Sequence, residues 1–172
     1  MTDIKRVSVI DGVEYGAIFS ECEKYRYVLW RIWDEAKPKW LFVLLNPSKA
    51  TELLNDPTIT RQMERAKRGG AGGIVVVNTG AIRETNSELL VGYADPIGPH
   101  NTFWIKQMIP QCEKHIAGWG PKASKFFGDK IAKSIFREEG AMLHTLHINK
   151  DGSPKHPLYI GYDAELLEYP LN

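Results

Sequence analysis

The sequence is poor in cysteine. Its two thiols, Cys22 and Cys112, show neither CxxC nor Cys/His spacing. That excludes a disulfide scaffold and argues against a zinc or iron–sulfur site. Charge of one sign is lacking as well. The net charge is +1, so there is no global basic signature. Any nucleic-acid contact must come from a local patch. No apolar run is long enough to span a membrane, and no secretory signal is visible, so a cytoplasmic location is expected. Internal repeats and low-complexity segments are missing. The glycines of Gly69-Gly70-Ala71-Gly72-Gly73 are not followed by Gly-Lys-Ser/Thr and precede a strand, which excludes a phosphate-cradling P-loop. What is present is ordinary globular material. A 43% hydrophobic fraction over 172 residues suffices for one domain, 1–172, with a substantial core.

Two apolar runs organise the chain. Trp40-Leu41-Phe42-Val43-Leu44-Leu45 reads as a strand buried on both faces, ended by Asn46-Pro47-Ser48. Gly73-Ile74-Val75-Val76-Val77 repeats the pattern and runs into Asn78-Thr79. In an open α/β sheet, ligands bind beyond the carboxyl ends of strands. Both asparagines are therefore placed at a site.

The residues around these runs set the rest. Arg6–Ile10 and Tyr15–Phe19 flank Asp11-Gly12, a hairpin signal, and Tyr25–Trp33 reads as a further strand. Asp56-Pro57-Thr58 opens a helix, with Asp as N-cap and Pro at the first helical position. Its Arg61, Arg65 and Arg68 recur at i, i+4 and i+7, giving one basic face. The βαβ order predicts parallel pairing with a right-handed crossover. Asn101–Cys112 and Lys122–Glu138 read as helices, the latter with Phe126, Phe127, Ile131, Ile135 and Phe136 toward the core. Met142–Ile148 reads as the last strand. The expected architecture is a three-layer α/β/α domain with a mainly parallel central sheet and N-terminal antiparallel strands.

Four segments, in this order, resemble the uracil-DNA glycosylase superfamily: Leu45-Asn46-Pro47-Ser48, Val76-Val77-Asn78-Thr79, Ala117-Gly118-Trp119-Gly120-Pro121-Lys122-Ala123 and His156-Pro157. Closer still, Asn-Pro-Ser, Asp-Pro-Thr and His-Pro resemble the signatures of a bacterial and phage family of unknown function. The superfamily resemblance implies a uracil-DNA-glycosylase-like fold and a monofunctional DNA N-glycosylase that leaves an abasic site. It implies that Asn46 holds the attacking water, Asn78 reads the base edge and His156 donates to the leaving base. The chain departs from the superfamily in carrying Asn at position 46 in place of Asp, and Leu158 where a phosphate-contacting Ser is usual.

The chemistry fits these residue types. Cleaving an N-glycosidic bond needs a donor facing the base, a held water near C1′ and groups that grip a flipped nucleotide. Asn78 offers a donor and an acceptor in one plane, and Pro47, Ser48 and Thr79 complete the substrate-binding set. Asp56 is the nearest carboxylate, a rival general base or a plain N-cap. The candidate DNA contacts are Lys49, Arg61, Arg65, Arg68, Lys155, and Leu158 with Tyr159 as an apolar wedge. For the arginine row a solvated helix face is the commoner explanation. No lysine occupies a Schiff-base position and no cofactor is implied. A modified base is as good a substrate as uracil, and a phage-type hypermodified base would make this an antiviral defence enzyme. Two rivals are an N-glycosidase or hydrolase of free nucleosides or nucleotides, and a non-catalytic nucleic-acid or nucleotide-binding module.

Overall fold

A computed structural model describes residues 2–49 and 52–172. Its β-strands form one mixed sheet in the order β1-β2-β3-β5-β4-β6-β7-β8. The strands are β1 (Ile4–Ile10), β2 (Val13–Phe19), β3 (Arg26–Ile32), β4 (Lys39–Leu44), β5 (Gly73–Asn78), β6 (Lys114–Ala117), β7 (His144–Thr145) and β8 (Leu167–Glu168). The helices are α1 (Pro57–Arg68), α2 (Asn101–Met108) and α3 (Gly128–Glu138).

The first three strands form an antiparallel meander. Asp11 and Gly12 both have positive φ, 51° and 77°, as a two-residue turn matched to strand twist requires. From β5 through β4 and β6 to β7 the pairing is parallel. It returns to antiparallel at β3–β5 and β7–β8. The expected mainly parallel sheet is thus corrected: only its centre is parallel, because β3 joins β5 head to tail and β8 folds back on β7.

Alternation along the central strands sends side chains to two faces. Leu29, Trp40, Phe42, Leu44, Ile74 and Val76 pack against Ile59, Met63 and Ala66 of α1. Val28, Trp30, Leu41, Val43, Val75 and Val77 share a cluster with Ile105 and Met108 of α2 and Ala132, Ile135 and Phe136 of α3. The spacing of Ile59, Met63 and Ala66 explains why α1 lies on the sheet. Burying Ile59 and Met63 stabilises by roughly 1.5–3 kcal/mol each. Asp56 caps the helix, its carboxylate accepting from the Ile59 amide at 2.9 Å, worth about 1 kcal/mol.

Two expected elements are shorter than their apolar content suggests. The Lys122–Glu138 segment is not one helix. A 3₁₀ turn, Pro121–Phe126, precedes α3, and Phe127 between them takes a left-handed φ of 61°. Phe127 is consequently 62% exposed and not part of the core. The Met142–Ile148 strand shrinks to His144–Thr145, and both Met142 and Ile148 are exposed.

The chain leaves β4 toward α1 on one face of the sheet and leaves β6 toward α3 on the other. The loops therefore part at the carboxyl edge of adjacent strands, the place where such sheets form a crevice.

Candidate functional site

The crevice is a cavity of about 240 Å³. Among its lining residues are Arg26, Asn46, Ser48, Asp56, Asn78, Glu84 and His156. Five of the sequence-derived candidates, more than a hundred residues apart at the extremes, meet here: Asn46, Ser48, Asp56, Asn78 and His156.

Asn46 follows β4 directly. Its amide nitrogen donates to the Glu84 carbonyl at 2.7 Å and to the Pro47 carbonyl at 3.1 Å. These bonds fix the carboxamide, and its oxygen accepts from no described residue. Asn78 closes β5, paired with Leu44. It is only 3% exposed, and its side chain makes no hydrogen bond with a described residue. Buried amides are normally satisfied, so this one is held open toward the cavity it lines.

His156 reaches the site from the far end of the chain. Gly118 at the end of β6 permits this, since a Cβ there would come within 2.5 Å of the Pro157 ring. The Leu158 amide donates to His156 Nδ1 at 3.3 Å. An Nδ1 that accepts carries no proton, so the neutral ring holds its proton on Nε2. Burial lowers the His156 pKa from its ordinary 6.5, with Asp56 opposing. The imidazole is a neutral N–H donor at neutral pH. Asp56 serves as N-cap with one oxygen and lines the cavity as well.

Two residues were not anticipated from sequence. Glu84 is 5% exposed. The Tyr93 hydroxyl donates to it at 2.7 Å and the Asn86 amide at 2.9 Å, and Lys49 lies at 3.1 Å. Tyr93 first, then Asn86 and Lys49, hold its carboxyl down to about 2. Arg26, the first residue of β3, is 5% exposed, and its Nε has no partner. Burial brings its pKa down to about 10, with Asp56 opposing. The available signal for Arg26 was a cation inside a strand otherwise rich in apolar residues, since arginines are almost never fully buried without a partner. For Glu84 it was proximity to the end of β5.

Other candidates do different work. Thr79 is buried; its hydroxyl donates to the Leu45 carbonyl at 3.0 Å and its amide to the Leu44 carbonyl at 2.8 Å. It pins β5 to β4 and offers nothing to a ligand. Pro47 is buried, and its carbonyl accepts from the Glu84 amide. Lys49 is engaged by Glu84.

The arginine row is not a free basic stripe: Arg65 is buried, Arg61 is half-buried and Arg68 alone is exposed. Arg61 and Arg65 both donate to the Ile160 carbonyl at 2.8 Å, and Arg65 also to the Gly161 carbonyl at 3.0 Å. Arg68 pairs with Glu64. All three guanidinium groups lie over the Tyr162 ring. They clamp the C-terminal loop to α1. Lys155 forms no ion pair with a described residue. Tyr159 is 78% exposed and, with Leu158, lines a shallow groove beside α1.

A wider groove of about 600 Å³ shares Lys49 and Tyr93, both partners of Glu84. Neither His156 nor the carboxamides Asn46 and Asn78 line it. Among the described residues no three His, Cys, Asp or Glu side chains are grouped to hold a metal ion. No helix among them is long and apolar enough to cross a membrane.

No curated protein and no solved structure matches the chain. A family model, described as protein of unknown function (DUF1643), matches residues 26–158. That span begins at Arg26, ends just beyond His156 and contains every residue lining the cavity. The chain belongs to this family of proteins of unknown function, DUF1643.

Proposed function

We propose that this cavity hydrolyses an N-glycosidic bond, with a base flipped out of DNA as its substrate. The observation that carries the reading is the meeting of Asn46, Asn78 and a neutral His156 in one polar cavity at the carboxyl edge of the sheet. The resemblance of four segments to the uracil-DNA glycosylase superfamily points the same way, and the proposal includes that superfamily's three-layer arrangement.

The bond between C1′ and the base nitrogen breaks with its electron pair leaving on the base. The His156 Nε2–H donates to the base oxygen where that charge develops. Preorganised donors of this kind supply much of the rate in such steps. The Asn46 oxygen, fixed by the two bonds of its nitrogen, accepts from the attacking water. That water adds to C1′ and releases a proton, and the oxygen of Asp56 not used for capping accepts it. Asn78 reads the base edge. Tyr159 and Leu158, next to His156, fill the stack when the base turns out. The products are an abasic site and a free base. A hypermodified phage base as substrate would give the enzyme a role in antiviral defence.

A second reading, hydrolysis of free nucleotides, is favoured by one observation: Arg61, Arg65 and Arg68 are spent on the C-terminal loop, leaving few cations to track a backbone. Duplexes and single strands carrying uracil, mispairs or bulky pyrimidine modifications, together with the matching nucleotides, are incubated with the protein. Alkali-labile sites and released bases are then measured. The proposal expects base release from a DNA, weakened steeply by salt. Release from nucleotides alone moves the assignment to the second reading. Release from neither removes both.

A further inference from the structure

Two buried arginines on β3 show what is unusual in the cavity. Arg31 donates to Asn55 Oδ1, to the Trp30 carbonyl and to the Glu52 carbonyl. Arg26 is almost as buried and donates to none. Its Nε is shut away from solvent without a partner. No hydrogen bond or ion pair joins the rest of its guanidinium to a described residue. A buried charge without a partner is strongly disfavoured. A fold that keeps one beside an open cavity keeps it for something that enters.

Four charged or titratable groups face that space: Arg26 from β3, Asp56 from the turn before α1, Glu84 from the loop after β5, and His156 from the C-terminal loop. Glu84 is matched by Lys49 and Tyr93. His156 is neutral near pH 7. Asp56 partly offsets the field of Arg26 but forms no ion pair with it, so the five N–H donors of the guanidinium fork stay empty.

We propose that the cavity is an oxyanion site in which the Arg26 fork receives a carboxylate or phosphate group of the ligand. The planar guanidinium presents two parallel donors that match two oxygens of either group. The unpartnered Asn78 carboxamide supplies the adjoining neutral contacts. An anion seated here favours the protonated form of His156, so its binding tightens as pH falls below 6.5. The assignment goes beyond the hydrolytic reading and does not need it, because it concerns what is held and not what is cut. A carboxylate comes from a base with an acidic substituent, a phosphate from a free nucleotide.

Calorimetric titration of the full chain at fixed ionic strength tests this with four probes: 5-carboxyuracil against uracil, and uridine 5′-monophosphate against uridine. One anion is expected to bind about tenfold or more tighter than its neutral counterpart, as one charge-assisted contact provides. Which pair shows the preference identifies the source of the anion. In Arg26→Met the preference disappears. In Arg26→Lys, which keeps the charge and loses the fork, affinity falls between the two. Equal binding of anion and neutral partner, or a preference surviving Arg26→Met, overturns the site. If Arg26→Met fails to fold, wild-type affinity in Arg26→Lys overturns the fork. Base release from DNA without any anion preference removes this inference and leaves the hydrolytic reading. Anion preference without base release does the reverse.

Discussion

Arg31 and Arg26 lie on the same strand, and both are at least 95% buried, at 0% and 5% exposure. One is bonded to acceptors, and the other lines a cavity where its guanidinium bonds to no described residue. The difference separates two uses of a buried charge. Arg31 ties β3 to the segment around Asn55, whereas Arg26 waits on a ligand. The same contrast separates the α1 arginines, which carry a periodic basic pattern but clamp a loop, from the isolated cation that no pattern singled out.

The largest expected effect breaks the comparison at its structural end. Arg31→Met removes a fully buried side chain together with its bonds to Asn55, Trp30 and Glu52. It should cost roughly 2–5 kcal/mol in urea denaturation. Arg26→Met should cost nothing or raise the midpoint, since it removes an unpaired buried charge. Equal losses in the two variants would make Arg26 structural.

Next come the groups that the proposed hydrolysis places at the reacting bond. His156→Ala and Asn46→Ala should each lower kcat about 10²–10³-fold with melting near wild type. If Asp56→Asn alone is dead, Asp56 both holds and deprotonates the water, and the water-holding role of Asn46 fails. The pH profile sharpens the same point. Burial lowers the His156 pKa below 6.5, so the neutral donor persists and activity should stay level as pH falls to 6.5, declining only below it. A rate that climbs as pH falls through 6.5 would assign the work to the imidazolium.

A smaller effect concerns the clamp. Tyr162→Ala removes the ring beneath Arg61, Arg65 and Arg68. It should loosen residues 160–162, read as faster amide exchange there, while the salt dependence of DNA binding is unchanged. A flatter salt slope after Arg61→Gln, Arg65→Gln and Arg68→Gln together would return the row to phosphate contact.

The smallest effect is on acid stability. The Glu84 carboxyl is held at about 2, below its ordinary 4.5. A depressed folded pKa stabilises above the unfolded value and is lost as pH falls from 4.5 toward 2. Glu84→Gln should flatten the stability curve in that window. An unchanged curve would mean that Tyr93, Asn86 and Lys49 do not hold the charged form.

Much of the site was legible because its residues punctuate apolar runs. Asn46 and Asn78 end buried strands, and His156-Pro157 is a marked turn. The central βαβ unit was legible for the same reason. The Asp11-Gly12 hairpin signal announced the N-terminal antiparallel strands, but the antiparallel β3–β5 and β7–β8 pairings were not legible, because partners such as β3 and β5 lie more than forty residues apart and nothing local states their direction. The break at Phe127 was hidden by good amphipathic spacing on both sides. Arg26 carried only a shared signal, a cation inside an otherwise apolar strand. In sequence it is one of two arginines in one strand, and only packing reveals which has a partner. The helical row of Arg61, Arg65 and Arg68 misled in the opposite direction, since Tyr162 and the Ile160 carbonyl that occupy it come from about a hundred residues downstream.

The central claim is that the cavity of Asn46, Asn78 and His156 hydrolyses an N-glycosidic bond. Its most direct test is cleavage of a modified-base DNA in heavy-oxygen water, with both products weighed. The account predicts label at C1′ of the abasic sugar, none in the released base, and loss of both products in His156→Ala. Label in the base, or undiminished release by His156→Ala, would contradict it.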